Sequence, residues 1–532
     1  MADETRGRSG ARLWLAVLVG ACYLLTASGH TQVIDVEEQL SAAASMRAGR
    51  APVIYVPVVK GQDFSATAGR NGRGFAAHDL GYSLLLLPLT LIPGTVRTVH
   101  DGEVCWPRDS RGCMHVVDAA YPTARLEAVA SILPPILGTL LVLVFVDLLL
   151  TLGFDERTAC ITGLLLAFAS IVWVYSHISF DATATGLFLL SAASALARYE
   201  RSTERRWLVA GGAALAAAII VRSDTLVLVP TMSILVAVHV WNERKRVGSA
   251  LRTAAAWGLP ILVGPAVNAG YNWFRFGGPS NNGNLSSPLL APVTPVLTGL
   301  VGQILSPGKG MLFTTPLLLL ALMGWPRFIR SHRLLAYTVG ATSVVCLVTH
   351  AVLFDWSGDV AWGSRHTVQI TAFCLLPLAY VVRDVLRRRA DRVVEVALIV
   401  LAVAGLLIQL TGVLIDYESI NEGLTTSVMN DMGSSQSWLG AQALGRALTG
   451  GQVYPRVGTA LAGRTVTAPV DLWWARPQGG SPGAYLSLLV AVALASLGVF
   501  AALRLRAALR TPARTAARHA DGYERQDRPA PV

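Results

Sequence analysis

Three carboxylates, Asp35, Glu37 and Glu38, stand a few residues past an apolar run at residues 13–28 that is long enough to cross a bilayer. A Gly/Arg-rich stretch at residues 69–74 carries Arg73, and His78-Asp79 follows. Further on, ionisable residues punctuate apolar sequence: His177 and Asp181, Arg222 and Asp224, Lys309, then Asp355, Asp359, Arg365 and His366. Together these types suit deprotonation of a hydroxyl beside a departing phosphate. A carboxylate takes the proton, and fixed cations neutralise the charge that develops on the leaving oxygen. Asp35 is the base candidate, with Glu37 and Glu38 able to share the role. Arg73, Arg222, Lys309 and Arg365 are candidates for the phosphate. His78, Asp79, His177, Asp181, Trp362 and His366 are candidates for substrate contact. Ionisable groups at membrane depth are costly, so several on one face point to function; singly, each also reads as an ordinary loop charge at a wet interface.

Other chemistries fit less well. Gly302 to Gly308 is one residue too long for a phosphate-binding P-loop, and Gly310 stands where Ser or Thr would be needed. The glycine-rich 69–74 stretch follows no strand pattern, so it is no dinucleotide fingerprint. The six cysteines form no CxxC or Cys/His cluster, which argues against structural zinc. No cofactor is implied with certainty. Asp35, Glu37 and Asp181 have the oxygen donors for a divalent cation, although displacement at a lipid phosphate does not require one.

The elements that must position these residues are membrane helices. The chain has 532 residues, 53% apolar and only 14% charged, with apolar stretches recurring to its C-terminus. That predicts an all-α, polytopic membrane protein. The net charge of +11 reads as cytoplasmic loops rich in Arg and Lys rather than as affinity for nucleic acid. Four basic loops, at 198–206, 242–246, 327–333 and 383–392, are assigned to the cytoplasm. Parity then puts the turns at 222–224, 272–309 and 355–366 outside. It also predicts spans at 128–146, 159–175 and 181–197, and makes residues 30–125 one large extracytoplasmic loop. The stretch 80–96, broken by Pro88 and Pro93, is then an interfacial or re-entrant helix. Residues 36–46 form a helix expected on the membrane surface, with Val36, Leu40, Ala43 and Ala44 on one face.

The expectation is about twelve spans with both termini in the cytoplasm of a multi-pass cell-membrane protein. The segment 13–28 reads as the first span or as a cleavable signal peptide. Residues 1–12 are a cytoplasmic N-terminus and 13–380 a catalytic module. Residues 381–503 carry further spans and an outer segment at 416–482, and 504–532 form a basic disordered tail. Cys105 and Cys113 lie in the outer loop, where a disulfide is expected.

With the charges gathered at one face, the chemistry expected is glycosyl transfer from a polyprenyl-phosphate sugar to an extracytoplasmic acceptor. A transporter or lipid flippase is the alternative from another class. It would place charges near the midplane and show inverted repeats. A non-catalytic subunit of cell-envelope assembly is a third reading, favoured if Asp35 lay far from any cavity.

The sequence resembles the GT-C superfamily of membrane glycosyltransferases over residues 13–380. It is most similar to the polyprenol-phosphate-sugar-dependent group that includes protein mannosyltransferases and aminoarabinose transferases. The resemblance rests on Asp35 after the first helix, on Gly81-Tyr82-Ser83-Leu84-Leu85-Leu86-Leu87-Pro88, on Ser306-Pro307-Gly308-Lys309-Gly310-Met311 with Pro316, and on Trp362-Gly363-Ser364-Arg365-His366. It implies a GT-C-like fold whose large first outer loop carries interfacial helices, with Asp35 at the catalytic position and a polyprenyl-phosphate donor as partner. Val36 follows Asp35 where many relatives have Glu or Gly, and His78-Asp79 stand where many have Lys or Tyr.

Overall fold

Long uncharged apolar sequence sets the longest helices, and polar or proline-bearing breaks set the turns where ionisable residues collect. The computed structural model describes residues 2–31, 34–52, 67–70, 74–105, 113–283, 291–358, 361–417, 435–449, 470–475 and 482–510. Arg73 and Asp359 lie outside these.

Helix α1 (Ala2–Leu25) leads into α2 (Ile34–Arg47), the strands β1 (Thr67–Ala68) and β2 (Gly74–Phe75), and α3 (Leu80–Leu86) with a 3-10 turn at Leu87–Leu91. Strands β3 (Val96–Cys105) and β4 (Cys113–Pro122) then pair as an antiparallel hairpin, with Cys105 directly opposite Cys113. Their side chains lie outside the described set. Helices α4 (Ala124–Ala130) and α5 (Leu133–Thr151) follow, the latter opening on Pro134 and Pro135, where a missing N–H costs nothing. The Asp155 carboxylate accepts from Thr158 N at 3.0 Å and starts α6 (Glu156–Phe168). After α7 (Val172–His177) come α8 (Asp181–Ser202) and α9 (Arg205–Val221). Next are a 3-10 turn at Ser223–Leu228, α10 (Val229–Met232), α11 (Ile234–Glu243), α12 (Val247–Phe276), α13 (Val296–Leu305), α14 (Met311–Thr314), α15 (Leu318–Ser331) and α16 (Arg333–Ala351). The chain continues through α17 (Val368–Leu375), α18 (Leu378–Leu386), α19 (Arg392–Val413), α20 (Gln436–Leu448) and α21 (Pro482–Arg510).

Among the described residues five helices are long and apolar enough to cross a bilayer, or seven if two bent pairs each count as one span. The pairs are Ser223–Met232 with Ile234–Glu243, bent 41°, and Arg365–Leu375 with Leu378–Leu386, bent 45°. Exposed apolar side chains such as Leu259 and Leu262 on α12, Ile399 and Leu407 on α19, and Leu489 and Val499 on α21 would need lipid around them. The core lies between α1, α5, α6, α7, α8 and α17, where Tyr23, Phe145, Tyr175 and Phe373 are fully buried. There the Tyr23 hydroxyl donates to Ala167 O at 2.8 Å, joining α1 to α6.

Several expectations change. The expected span 159–175 is two helices, α6 and α7, bent apart at residues 169–171 where Ser170 is fully buried. Helix α2 is covered by protein on more than its apolar face. Val36 and Leu40 are buried, and so are Glu38, Gln39 and Ser41 from other sides, because α2 is enclosed between α3, β4 and the turn at Leu87–Leu91. The stretch 30–125, expected as one outer loop, holds the β3–β4 hairpin as well as helices. The helix α21 runs to Arg510, past the residue 504 at which a disordered tail was expected. The Leu80–Leu91 stretch is about 18 Å long at helical rise, too short to cross.

Candidate active site

Helices that alternate in direction bring their polar turns to one end of the bundle. There the start of α2, the chain before α3, the start of α8, the end of α9, the end of α16 and the loop before α17 meet. Asp35 enters on the first turn of α2. Its Oδ1 lies 3.4 Å from His78 Nε2 and its Oδ2 3.5 Å from Arg365 Nη1. Its side chain is about a quarter exposed, so it faces an open space between those two partners. His78 Nε2 also lies 3.8 Å from the Glu38 carboxylate, which is buried one turn along α2.

His78 is held in place through its backbone. The fully buried Arg275 of α12 donates to Ala76 O and, at 2.7 Å, to His78 O. It also donates to Asn272 Oδ1 at 2.7 Å. The neighbouring Asp79 accepts from Ser223 N at 2.6 Å, tying this stretch to the end of α9. The Tyr82 and Ser179 hydroxyls, 2.9 Å apart, tie α3 to the turn before α8.

Electrostatics separates the two carboxylates. Burial opposes ionisation of Asp35, but the His78 imidazolium and Arg365 outweigh it and hold its carboxyl well below the usual range. Burial dominates at Glu38 and pushes its carboxyl up to about 8. Burial would lower His78, yet the Asp35 carboxylate outweighs it and lifts the imidazole to about 9. Asp79 is raised by burial. Near neutral pH the trio therefore holds Asp35 ionised, His78 as imidazolium and Glu38 largely neutral.

Arg365 sits in the loop 361–367. Gly358 has φ +79°, and a Cβ there would come within 2.7 Å of Arg365 Cγ, so only glycine lets the chain pass. Arg365 Nη2 lies 3.5 Å from Asp355 Oδ2, its guanidinium is 5.6 Å from the Phe180 ring, and its buried Nε has no partner among the described residues. Beside it, Arg222 makes tighter bonds, 2.8 and 3.3 Å to Asp224 and 3.2 Å to Asp181. His350, at the end of α16, reaches Asp224 at 3.2 Å and stacks on His366 at 4.3 Å. His366 Nε2 donates to Asp355 O at 3.0 Å.

The sequence candidates thus divide. Asp35, Glu38, His78, Asp181, Arg222 and Arg365 come together. Asp79 and His366 brace the backbone around them. The Thr31 hydroxyl donates to Glu37 at 3.5 Å, two residues beyond Asp35 and so on another side of α2. Lys309 is fully buried and donates to Ala361 O at 2.8 Å, which supports the Arg365 loop from beneath. Trp362 is 1% exposed, with its ring against Gly412 and near Tyr417. No face is left for a sugar. His177 meets Asp471 at 3.2 Å, outside the cluster. Among the described residues no group of three or more His, Cys, Asp or Glu side chains is placed to hold a metal ion. Sequence reasoning missed His350 and Arg275. An ionisable residue ending an apolar span was the available signal for His350. Arg275 carried no comparable local signal.

Comparison with known proteins places part of the chain. A model of the dolichyl-phosphate-mannose-protein mannosyltransferase family matches residues 125–266. No curated protein matches the chain in sequence. Among solved structures it is similar to ArnT from Cupriavidus metallidurans bound to undecaprenyl phosphate, at 13% identity and a TM-score of 0.45, over 93% of this chain and 75% of that one. It is also similar to the oligosaccharyltransferase AglB from Archaeoglobus fulgidus in complex with an inhibitory peptide and a dolichol-phosphate, at 13% identity and 0.43, over 85% and 60%. The family match over 125–266 agrees with the resemblance to polyprenol-phosphate-sugar-dependent membrane glycosyltransferases drawn from the sequence.

Proposed function

We propose that this protein is a membrane glycosyltransferase that moves a sugar from a polyprenyl-phosphate donor to an acceptor hydroxyl on the extracytoplasmic side, with both termini in the cytoplasm. The observation that carries the reading is Asp35, partly open to solvent, between the His78 imidazolium and a loosely held Arg365. Residues 13–380 are the catalytic module in this reading, and the acceptor is a cell-envelope glycan, lipid or protein.

Asp35 takes the acceptor proton as its oxygen attacks the anomeric carbon, and the sugar–phosphate bond breaks with its electrons going to the lipid phosphate. Arg365 meets that phosphate, and Arg222 adds positive field from the adjoining pair. A strongly acidic Asp35 is a weak base. An anionic donor at Arg365 offsets one of the cations that, with the His78 imidazolium, depress Asp35, so basicity rises when the donor is present. His78, anchored through Arg275, orients Asp35. A groove of about 450 Å³ beside α13, lined by Leu297, Val301, Leu305 and Pro307, offers apolar surface for a prenyl chain two residues from Lys309.

Reconstitution in proteoliposomes with radiolabelled polyprenyl-phosphate sugars tests this. Label should move to an acceptor with wild-type protein and not with Asp35→Asn. Transfer that is equal in both removes Asp35 as base. Absence of transfer from every such donor rejects the function.

A further inference from the structure

The helix α1 ends at Leu25, and its last carbonyls need partners. They find them some 450 residues away in sequence. Trp473 Nε1 donates to Leu24 O at 2.8 Å, Trp474 Nε1 to Leu25 O at 2.8 Å, and Trp473 N to Ala27 O at 3.1 Å. Gly29, at φ +75°, lets the backbone come so close to Trp473 that a Cβ would sit 2.4 Å from its Cβ. Just beyond, the buried Asp471 carboxylate bridges two histidines, His30 Nε2 at 2.9 Å and His177 Nε2 at 3.2 Å. His177 also bonds Thr26 O, and its own carbonyl accepts from Ser28 N at 3.3 Å. Asp471 is anchored in turn, its N donating to Leu414 O at 2.9 Å.

A second grip lies on the other half of the site. Gln436, at the start of α20 and 2% exposed, accepts from Gly363 N at 2.7 Å and donates to Ala361 O at 2.9 Å. Ala361 O is also the acceptor for Lys309. Gly363 lies two residues before Arg365. Gln436 and the short stretch 470–475 thus fix, between them, the loop that delivers Arg365 and the stretch that delivers Asp35.

We infer that the segments 435–449 and 470–475 act as a clasp that positions the site: Asp471 with Trp473 and Trp474 sets the approach to Asp35, and Gln436 sets the loop of Arg365. These are positioning residues, acting through the backbone of others. The inference rests on the proposed glycosyl transfer for its kinetic consequence, and on geometry alone for its structural one. Displacing a catalytic group by an ångström costs about a hundredfold, so a slackened clasp lowers turnover without removing any reacting group.

The test uses full-length protein in nanodiscs carrying Asp471→Ala, Trp474→Phe or Gln436→Ala, with amide hydrogen exchange and steady-state transfer measured on each. Asp471→Ala should speed exchange over 26–38 by roughly tenfold or more, leave 361–367 unchanged, and lower kcat about tenfold or more with donor KM within about twofold. Gln436→Ala should speed exchange over 361–367 instead and raise donor KM. Trp474→Phe removes one N–H and should reproduce the Asp471→Ala pattern in weaker form, which separates the clasp from general misfolding. Unchanged exchange in both segments, or local loosening with kcat and KM unchanged in an active enzyme, overturns the inference. If wild-type protein transfers nothing, the function reading falls and the exchange data still decide whether the clasp exists.

Discussion

Arg222 and Arg365 stand side by side at the same end of the bundle, equally buried, and are held in opposite ways. Arg222 is saturated: Asp224 takes it at both ends of its fork and Asp181 takes a third bond at 3.2 Å. Among the described residues Arg365 pairs with Asp35 and Asp355, each at 3.5 Å, and its buried Nε has no partner. Charge-assisted bonds normally close to about 2.7–2.9 Å. Arg222 is thus a cation closely paired within the fold, and Arg365 is one held loosely, which on the proposed function suits it to meet an anion. Two arginines at neighbouring turns of the topology thus need not share a role, and the loosely paired one is the phosphate ligand we propose.

The comparison can be broken in four ways. The largest expected effect is in Arg365→Ala, which should lower kcat/KM for the lipid donor by about two to three orders of magnitude. Arg365→Lys should recover only part of it, because a point charge cannot replace the fork. Steady-state kinetics on lipid-linked sugar reads both, and unchanged donor kinetics in the two variants would end the phosphate role. Next, Arg222→Ala should cost about 3 kcal/mol in stability by leaving Asp181 and Asp224 without their cation. A large loss of donor affinity in Arg222→Lys with little change in melting temperature would reverse the assignment.

A smaller effect is expected from pH. His78, raised from 6.5 to about 9, contributes its stability in full below 6.5 and loses it as pH rises through about 9. Glu38, raised from 4.5 to about 8, gains a charge that its buried surroundings oppose as pH climbs through that value. Asp35 keeps its stabilising charge above 3.8 and loses it only in stronger acid. Melting temperature should therefore fall progressively as pH rises, over 4.5 to about 8 for Glu38 and over 6.5 to about 9 for His78, with turnover lost as His78 deprotonates near the top of that range, and His78→Gln should abolish the fall between 6.5 and about 9. A wild-type profile flat to pH 10 would contradict the paired charges. The smallest effect concerns the hairpin. Cys105 and Cys113 oppose each other in register, where paired Cα atoms lie about 4.5–5.5 Å apart, within disulfide range. Non-reducing peptide mapping should recover them as one bridged fragment, with transfer activity little changed on reduction.

What the sequence made legible was the part governed by charge and hydropathy. Counting basic loops placed Asp35, Asp181, Arg222 and Arg365 at one end, and the structure brings those four together with His78. What it hid was set by contacts between distant residues. Nothing near His177 signals that Asp471, 294 positions later, would claim it. Trp362 looked like a platform because tryptophan beside polar residues often is one, yet its ring packs against Gly412 and is enclosed. Helix α2 carried an apolar face on one side, and burial of Glu38 and Gln39 from the others depends on α3 and the β3–β4 hairpin. That hairpin was hidden because its strands mix charged and small residues and show only a faint alternation.

The central claim is that Asp35 activates an acceptor against a phosphate-linked sugar held by Arg365. The most direct measurement is donor binding and sugar transfer on the same proteoliposomes, for wild type and Asp35→Asn. The account predicts that Asp35→Asn binds polyprenyl-phosphate sugar about as well as wild type while transferring it about a hundredfold or more slowly. Transfer at wild-type rate by Asp35→Asn would contradict it.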